Sequence, residues 1–253
     1  MHLIALNLSP NSAVWWADSG LRFALILAVT VAFAAMGHLV RGVTRSGAAA
    51  GAVVCLALFA SVGPGGFASL LAVFAVTWIA TRFGQLRKQV LGIAERKEGR
   101  SASQVLANTG MASACALCYS ALHAPLMLLG MAAALAVAAA DTVSSECGQA
   151  VSREARLITT FEQVAAGTDG GVTLAGTAAG AVAAGFVSLV GMWAGLLSMR
   201  WMAIAAGAGV FGMVVDSFLG ALFERRGWIG NDSVNFISTV LAAVGAAVVA
   251  GLA

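Results

Sequence analysis

Charged residues are scarce in this chain: they make up 10% of its 253 residues, whereas 60% are hydrophobic. Soluble domains carry about a quarter charged residues, and so few charges could not cover the surface of a water-soluble protein of this size. The same composition excludes a disordered or acidic solvating chain. It predicts an all-α, polytopic transmembrane helix bundle.

Other residue types and motifs are missing as well. Three prolines against 30 glycines predict closely packed helices with few proline kinks. The four cysteines lie in or beside apolar runs and do not form the pattern of a secreted disulfide framework. No basic segment with an apolar core and a cleavage site opens the chain, so we expect no signal peptide. There is no P-loop, no His-Glu-x-x-His and no Gly-x-Ser-x-Gly, which excludes the enzyme classes built on those motifs.

The apolar residues form eight stretches close to the roughly 20 residues that a membrane-spanning helix needs. We expect residues 1–20 to be an interfacial N-terminal lead-in and 21–253 to be a single transmembrane domain. The second and third stretches are short and separated only by Gly63-Pro64-Gly65-Gly66, which leaves open that one of them is re-entrant. The predicted spans are 21–40, 46–63, 65–81, 104–122, 124–146, 173–197, 200–222 and 233–253.

The basic residues predict the orientation of the bundle. With eight spans, the odd-numbered loops share one side and hold twelve of the fourteen lysines and arginines. Only Arg22 and Arg200 fall on the other side. The positive-inside rule then places these loops in the cytoplasm and both termini on the non-cytoplasmic side. We expect an integral protein of a bacterial inner (cytoplasmic) membrane.

Acidic residues gather at the same predicted face. A carboxylate inside a membrane costs several kcal/mol unless it is paired, hydrated or metal-bound, so each acid there is a functional hypothesis. The alternative is a plain helix cap, which fits Asp232 best. Asp141 and Glu146 are five residues apart, about 140° on an ideal helix, so both can face one ion only at a bend or helix end. The acids that the predicted topology brings together are Asp141, Glu146, Asp216, Asp232 and, in a loop, Asp169.

Basic, amide and hydroxyl groups belong to the same face. Arg100, Gln104 and Asn108 follow at i, i+4 and i+8 and therefore form one stripe on a helix. Arg45 and Arg100 are candidate phosphate ligands or, alternatively, positive-inside anchors, while the remaining loop cations are expected to be solvated or to touch anionic lipid. The other candidate binding residues are Ser46, Thr168, Gly170, Gly171, Asn231 and Asn235.

This combination suits phosphate chemistry. Carboxylate, amide and hydroxyl oxygens are ligands for Mg²⁺, which bridges substrate phosphates. Arginines bind phosphate oxygens, and glycine-flanked backbone N–H groups at residues 167–171, just before a helix, suit an anion. At a membrane interface such a site would let a soluble nucleotide meet a lipid with a buried tail.

The same motifs resemble an integral membrane family that includes transmembrane protein nineteen of animals and the phytyl-phosphate kinase of plant and cyanobacterial tocopherol synthesis. They are spread over about residues 40–240. One departure is Val143 after Asp141-Thr142, where alanine or an aromatic residue is expected. The matching stretches are Thr44-Arg45-Ser46-Gly47, residues 99–108, Ala140-Asp141-Thr142 with Glu146, residues 167–172, Asp216-Ser217, and Asn231-Asp232 with Asn235.

The resemblance implies phosphoryl transfer from a nucleoside triphosphate, with CTP expected, to a prenyl monophosphate such as phytyl or geranylgeranyl phosphate. Arg45 and Arg100 would then hold phosphates, oriented by the amides of Gln104, Asn108, Asn231 and Asn235. Asp169 would bind metal or shape its turn. Catalytic roles, as ligands of Mg²⁺ or its waters, would fall to Asp141, Glu146, Asp216 and Asp232.

Two functions of other classes compete with the kinase. A transporter or lipid flippase also uses intramembrane acids, but it would place them near the midplane. A structural assembly subunit would not need so many polar motifs on one side. The expected partners are the nucleotide, the prenyl monophosphate and membrane lipids, with no nucleic acid, and a homo-oligomer stays open. The chain length of the prenyl group and the base of the nucleotide are not encoded in these motifs.

Overall fold

The computed structural model describes residues 19–94 and 97–252. The segment 1–18, most of the predicted lead-in, therefore lies outside the described residues, as does Arg96. Eight of the described helices are long and apolar enough to cross a membrane. They are α1 (Ser19–Leu39), α2 (Arg45–Val62), α3 (Pro64–Arg82), α5 (Ala102–Leu122), α6 (Leu126–Val151), α7 (Leu174–Trp193), α8 (Met199–Leu222) and α9 (Asn231–Leu252). The predicted all-α polytopic bundle is confirmed.

The two short spans are separate helices of 18 and 19 residues. At 1.5 Å per residue the shorter one is about 27 Å long, close to the hydrocarbon thickness of a bilayer. Gly63 ends α2 with a φ of +81°, a conformation that favours glycine. Pro64 then begins α3 at the position where a proline costs no helical hydrogen bond.

Helix α6 is the centre of the bundle. In its most apolar stretch 83% of the residues are buried, against 22% in α1. It packs against α3, α5, α7, α8 and α9. These neighbours approach closely because small residues meet at the contacts: a Cβ added to Gly209 of α8 would lie 2.8 Å from the Cβ of Ala136. Close approach through small residues is the usual way in which helices associate in membranes.

A short helix and a small sheet lie between the spans and were not predicted. Helix α4 (Gln85–Val90) follows Gly84, whose φ of +64° turns the chain after α3. Between α6 and α7 the chain forms a three-stranded antiparallel sheet in the order β2-β1-β3, made of β1 (Glu154–Leu157), β2 (Gln163–Ala165) and β3 (Gly171–Val172). Ala155 is opposite Val164, and Arg156 is opposite Val172. Exposed and buried residues alternate along β1, as expected for a strand with one covered face.

Consecutive spans run in opposite directions, so one end of the bundle collects the C-termini of α1, α3, α6 and α8 and the N-termini of α2, α5, α7 and α9. We call this the polar end. Here the segment before α2 pairs with the segment before α5: the Thr44 N–H donates to the Arg100 carbonyl at 3.0 Å, and the Arg100 N–H donates to the Gly42 carbonyl at 3.1 Å. Gly47 has no room for a Cβ because the Arg100 carbonyl occupies that space. Two motifs that are far apart in sequence are thereby joined.

Candidate functional site

Gln104 and Asn108 lie in the first two turns of α5, whereas Arg100 lies just before the N-cap Ser101, so the predicted stripe continues beyond the helix. A capping box fixes the first turn: the Gln104 N–H donates to Ser101 Oγ at 3.4 Å, and the Ser101 N–H donates to Gln104 Oε1 at 2.8 Å. Asn108 donates its side-chain amide to the Gln104 carbonyl at 2.9 Å. Arg100 reaches across to α6, where its Nη2 donates to Thr142 Oγ1 at 3.2 Å. The stripe therefore faces the central helix.

A polar cavity of about 370 Å³ lies between this stripe, α6 and the start of α9. It brings together many of the residues that the sequence analysis selected, from three helices. Hydroxyl, amide, carboxylate and guanidinium groups supply most of its wall. The lining residues are Ile93, Ala94, Arg100, Gln104, Asn108, Asp141, Thr142, Ser145, Glu146, Gln149, Asn231 and Asn235.

Asp141 lines this cavity, and Asp216 of α8 lies behind it without being part of the described lining. The two carboxyl groups are close enough to interact, and the Arg100 guanidinium is within electrostatic reach of Asp141. Asp216 is buried, and Ser238 Oγ donates to its Oδ2 at 3.1 Å. Two carboxylates this close repel each other unless a cation or a proton lies between them. Oxygen ligands in this arrangement fit Mg²⁺, which typically uses one or two protein carboxylates and completes its shell with water and substrate phosphates.

No group of three or more histidine, cysteine, aspartate or glutamate side chains within the described residues could hold a metal ion. The four predicted carboxylates do not form such a group either. Glu146 forms a buried ion pair with Lys88 of α4. Asp232 is half-buried in the first turn of α9 and is not part of the cavity lining. A Mg²⁺ ion at this site would therefore rest on Asp141 and Asp216.

Lys88 is the residue that the sequence analysis missed. It is fully buried, and its Nζ donates to the carbonyl groups of Ala80 and Thr81, at 3.4 and 2.8 Å, as well as to Glu146. The expectation that this loop cation is solvated is wrong, because it lies on the buried side of the short helix α4, which sequence periodicity cannot reveal in six residues. The rarity of lysine in the chain was the one available signal.

Arg45 and Ser46 lie at the edge of the site rather than inside it. Both are exposed in the first turn of α2 and line neither described cavity. The cap of this helix is Thr44, whose Oγ1 accepts from the Gly47 N–H at 3.1 Å and lies 3.0 Å from Ser46 Oγ. In this arrangement the pair could meet only the part of a ligand that projects out of the polar end.

The glycine-rich turn between β2 and β3 packs on the end of α8. Gly170, with a φ of +74°, lies so close to Ala221 that a Cβ would clash with its backbone. The N–H groups of Thr168 and Gly171 donate to the carbonyl groups of Ala165 and Thr168, at 3.2 and 2.8 Å, so neither is free for an anion. Asp169 is exposed at the tip of the turn.

Glu224 is, after Lys88, a second residue that the motifs did not indicate. It lies in a one-turn 3-10 helix (Glu224–Arg226) after α8. Its carboxylate is within electrostatic reach of Asp141 and Asp169 and is a hydrogen-bond partner of the Asn231 side chain. Asn231 in turn accepts from the Asn235 amide at 2.8 Å. Glu224 thus links the turn that carries Asp169 to the amides on the cavity wall.

A second cavity, of about 410 Å³, begins at the polar end and extends between α1, α2, α3 and α5. We call it the apolar cavity, because its inner part is lined by residues such as Phe33, Val54, Leu70, Val73 and Phe74. The stripe Arg100, Gln104 and Asn108 lines both cavities. It is therefore their common wall.

Comparison with known proteins places this chain among integral membrane proteins. The family model described as "Integral membrane protein DUF92" matches residues 28–243. The chain is 31% identical to the chloroplastic protein VTE6 of Arabidopsis thaliana over 81% of this chain and 65% of that protein. It is 33% identical to an uncharacterized membrane protein of Synechocystis, over 79% of this chain and 78% of that protein. Protein PGR of Arabidopsis thaliana is 30% identical over 87% of this chain and 92% of its own length.

No solved structure matches the chain. The match to VTE6 spans slightly less than two thirds of that protein's length. The family resemblance that the sequence motifs indicated is confirmed by these matches.

Proposed function

Since the chain belongs to the integral membrane family DUF92, we propose that it is a membrane-embedded kinase acting on a prenyl monophosphate. The donor is a nucleoside triphosphate, CTP in the first instance, and the product is the prenyl diphosphate. The observation that carries this proposal is the common wall: Arg100, Gln104 and Asn108 line a cavity suited to phosphates on one side and an apolar cavity on the other. We place the site at the cytoplasmic face of a bacterial inner membrane, following the distribution of basic residues.

The reaction requires positioning and charge neutralisation rather than a general base. An oxygen of the acceptor monophosphate attacks the γ-phosphorus, the bond from that phosphorus to the β–γ bridging oxygen breaks, and the nucleoside diphosphate leaves. The second pKa of a phosphate monoester is about 6, so the attacking oxygen is already ionised near neutral pH. This agrees with a cavity wall that contains no histidine or lysine among its described lining residues.

Each polar side chain at the site has its own role in this reaction. Arg100 neutralises phosphate oxygens at the common wall, and its bond to Thr142 fixes the guanidinium against α6. Gln104, Asn108 and the asparagines at the start of α9 orient the phosphates through their amides. Asp141 and Asp216 would hold a Mg²⁺ ion, whose charge would offset the negative charge of the phosphates. Ser238 keeps Asp216 turned toward Asp141.

A transporter remains the competing function. It predicts charged groups near the middle of the bundle that both sides can reach. The arrangement of acids favours the kinase, because Asp141, Glu146 and Asp216 lie in the halves of α6 and α8 nearest the polar end. Glu224 follows the C-terminus of α8 at that end.

The test is phosphoryl transfer by purified protein in nanodiscs with Mg²⁺. γ-labelled CTP or ATP is supplied with geranylgeraniol, geranylgeranyl monophosphate or phytyl monophosphate. We expect label in the prenyl diphosphate, only from the monophosphates, with CTP preferred. Removal of one preorganised electrostatic group typically costs about 10²–10³ in rate, so Asp141→Asn and Asp216→Asn should each lose at least this much.

Glu154→Gln, at an exposed carboxylate on β1, is the matched control and should keep full activity. Absence of transfer from folded protein with every acceptor would contradict the kinase. Flux of lipid or ions across liposomes, lost in the same two variants, would then establish the transporter.

A further inference from the structure

The apolar cavity has the depth of a lipid chain. Along α3 its lining runs from Arg82 at the polar end to Leu70 inside the bundle. These residues are twelve positions apart, which is about 18 Å of helix. The cavity volume of about 410 Å³ lies within the range of pockets that bind small organic ligands. A single flexible chain could enter from the polar end and lie along these helices.

The lining changes from charged to apolar with depth. At the polar end four cations line the cavity: Arg41, Arg82, Lys97 and Arg100. Arg82 is held in place, since it donates to the Val40 carbonyl and its guanidinium lies 4.4 Å from the centre of the Trp78 ring. Such a gradient matches a lipid with an anionic head and one hydrocarbon tail.

Aromatic and aliphatic side chains pack together along the inner part of the cavity. The rings of Phe33 and Phe74 meet edge to face with their centroids 5.5 Å apart. Leu70 and Val54 are buried beside them. A ligand tail would meet these side chains.

We propose that the apolar cavity holds the hydrocarbon tail of the lipid monophosphate acceptor, with the phosphate at Arg100, and that the absence of a side chain at Gly51 lets a long tail pass along α2 to the inner part of the cavity. The chemistry of the acceptor rests on the proposed function. The position of its tail rests on the cavity alone.

Gly51 offers a direct way to shorten the cavity. It lines the cavity, and a Cβ added there would meet no heavy atom within 4 Å. The first atom of a larger side chain at this position therefore enters open space, and a leucine there is expected to narrow the cavity. Gly51 lies six residues from the start of α2, so the obstruction stands about 9 Å along the helix. The outer part of the cavity stays open to a short tail.

Gly185 of α7 supplies the matched control. A Cβ added there also meets no heavy atom within 4 Å, and the residue is half-buried like Gly51. It does not line the apolar cavity. Gly51→Leu and Gly185→Leu therefore add the same side chain to equally open helical positions.

Binding is measured without nucleotide, by native mass spectrometry in detergent, with geranyl and geranylgeranyl monophosphate as probes. Each buried CH₂ contributes about 0.8 kcal/mol, so excluding two or more of them weakens binding about tenfold or more. We expect this loss for geranylgeranyl monophosphate in Gly51→Leu, and a change below about threefold for geranyl monophosphate, whose main chain is half as long. Gly51→Val should show a smaller loss, and Gly185→Leu should bind both probes like the wild type.

Unchanged binding of the long probe by folded Gly51→Leu, or by Gly51→Val if the leucine variant does not fold, would overturn the tail site. An equal loss in Gly185→Leu would do the same. Equal displacement of the long probe by phosphatidic acid would show a general lipid site and would also overturn the assignment. Because no nucleotide is present, the predicted binding pattern without any phosphoryl transfer would support the tail site and contradict only the kinase.

Discussion

Replacing Lys88 by methionine is expected to destabilise the protein strongly, although the residue lies outside every apolar span. The side chain of Lys88 is 1% exposed and that of its partner Glu146 is 11% exposed. Methionine keeps most of the volume and removes the charge. Glu146 is then left as a nearly buried carboxylate without its cation, and the carbonyl groups of Ala80 and Thr81 each lose a donor.

The size of the effect follows from this geometry. Removing one partner of a buried ion pair costs about 3–5 kcal/mol, since the remaining charge stays desolvated. For a chain of this length 1 kcal/mol corresponds to about 2–4 °C in Tm, so Lys88→Met should lower Tm by roughly 6–20 °C. Replacing both partners by methionine removes the stranded charge, and the double variant should recover at least about half of the loss.

The assay is thermal unfolding of the purified variants in one detergent, with Arg153→Met, an exposed cation before β1, as the control. The control should change Tm by no more than about 2 °C, as surface substitutions usually do. A Lys88→Met variant that unfolds like this control would refute the reasoning. So would a double variant whose Tm loss is the sum of the two single losses, because the pair would then have no coupling.

Three further outcomes test other contacts. Gly212→Ala places a Cβ of α8 against the central helix and should lower Tm by several degrees in thermal unfolding. Gly207→Ala, also on α8 but facing open space, should leave Tm unchanged. Gly170→Ala meets both a clash and a positive φ, so we expect faster proteolysis of the sheet between α6 and α7, detected by limited trypsin digestion. Ser238→Ala removes a hydrogen bond to the buried Asp216 and should lower the rate of phosphoryl transfer about tenfold with a loss of Tm of about 2–12 °C, and an unchanged rate would contradict the positioning role.

The spans could be predicted because a bilayer imposes one length and one composition on every crossing helix. The predicted ends agree with the observed ones within a few residues. The largest differences are at α6, predicted to end at 146 and observed to end at Val151, and at α7, predicted to end at 197 and observed to end at Trp193. Hydropathy reports where the hydrocarbon stops, whereas a helix continues as long as its backbone and neighbours allow.

Within the site, the spacing of residues along the sequence predicted which side chains are neighbours on one helix, but not which side chains meet between helices. Gln104 and Asn108 share a wall as helical periodicity predicts, whereas Arg100 precedes the N-cap Ser101 and reaches the same wall because its backbone pairs with the segment before α2. The contact between Asp141 and Asp216 depends on the rotation of α6 against α8, which no spacing specifies. Lys88 could not be assigned for the same reason, because its burial results from how α4 folds back under α3.

The composition of α6 has a consequence for how rotation is specified in this bundle. A helix of alanine, glycine and a few aliphatic residues presents nearly the same narrow surface in every direction, so its azimuth is weakly determined by shape. Polar contacts determine this rotation instead: Thr142 to Arg100, Asp141 to Asp216, and Glu146 to Lys88. The groups that would perform the chemistry therefore also fix the rotation of the central helix within the bundle. Isosteric substitutions such as aspartate to asparagine can separate the two roles, whereas truncation to alanine would remove both together.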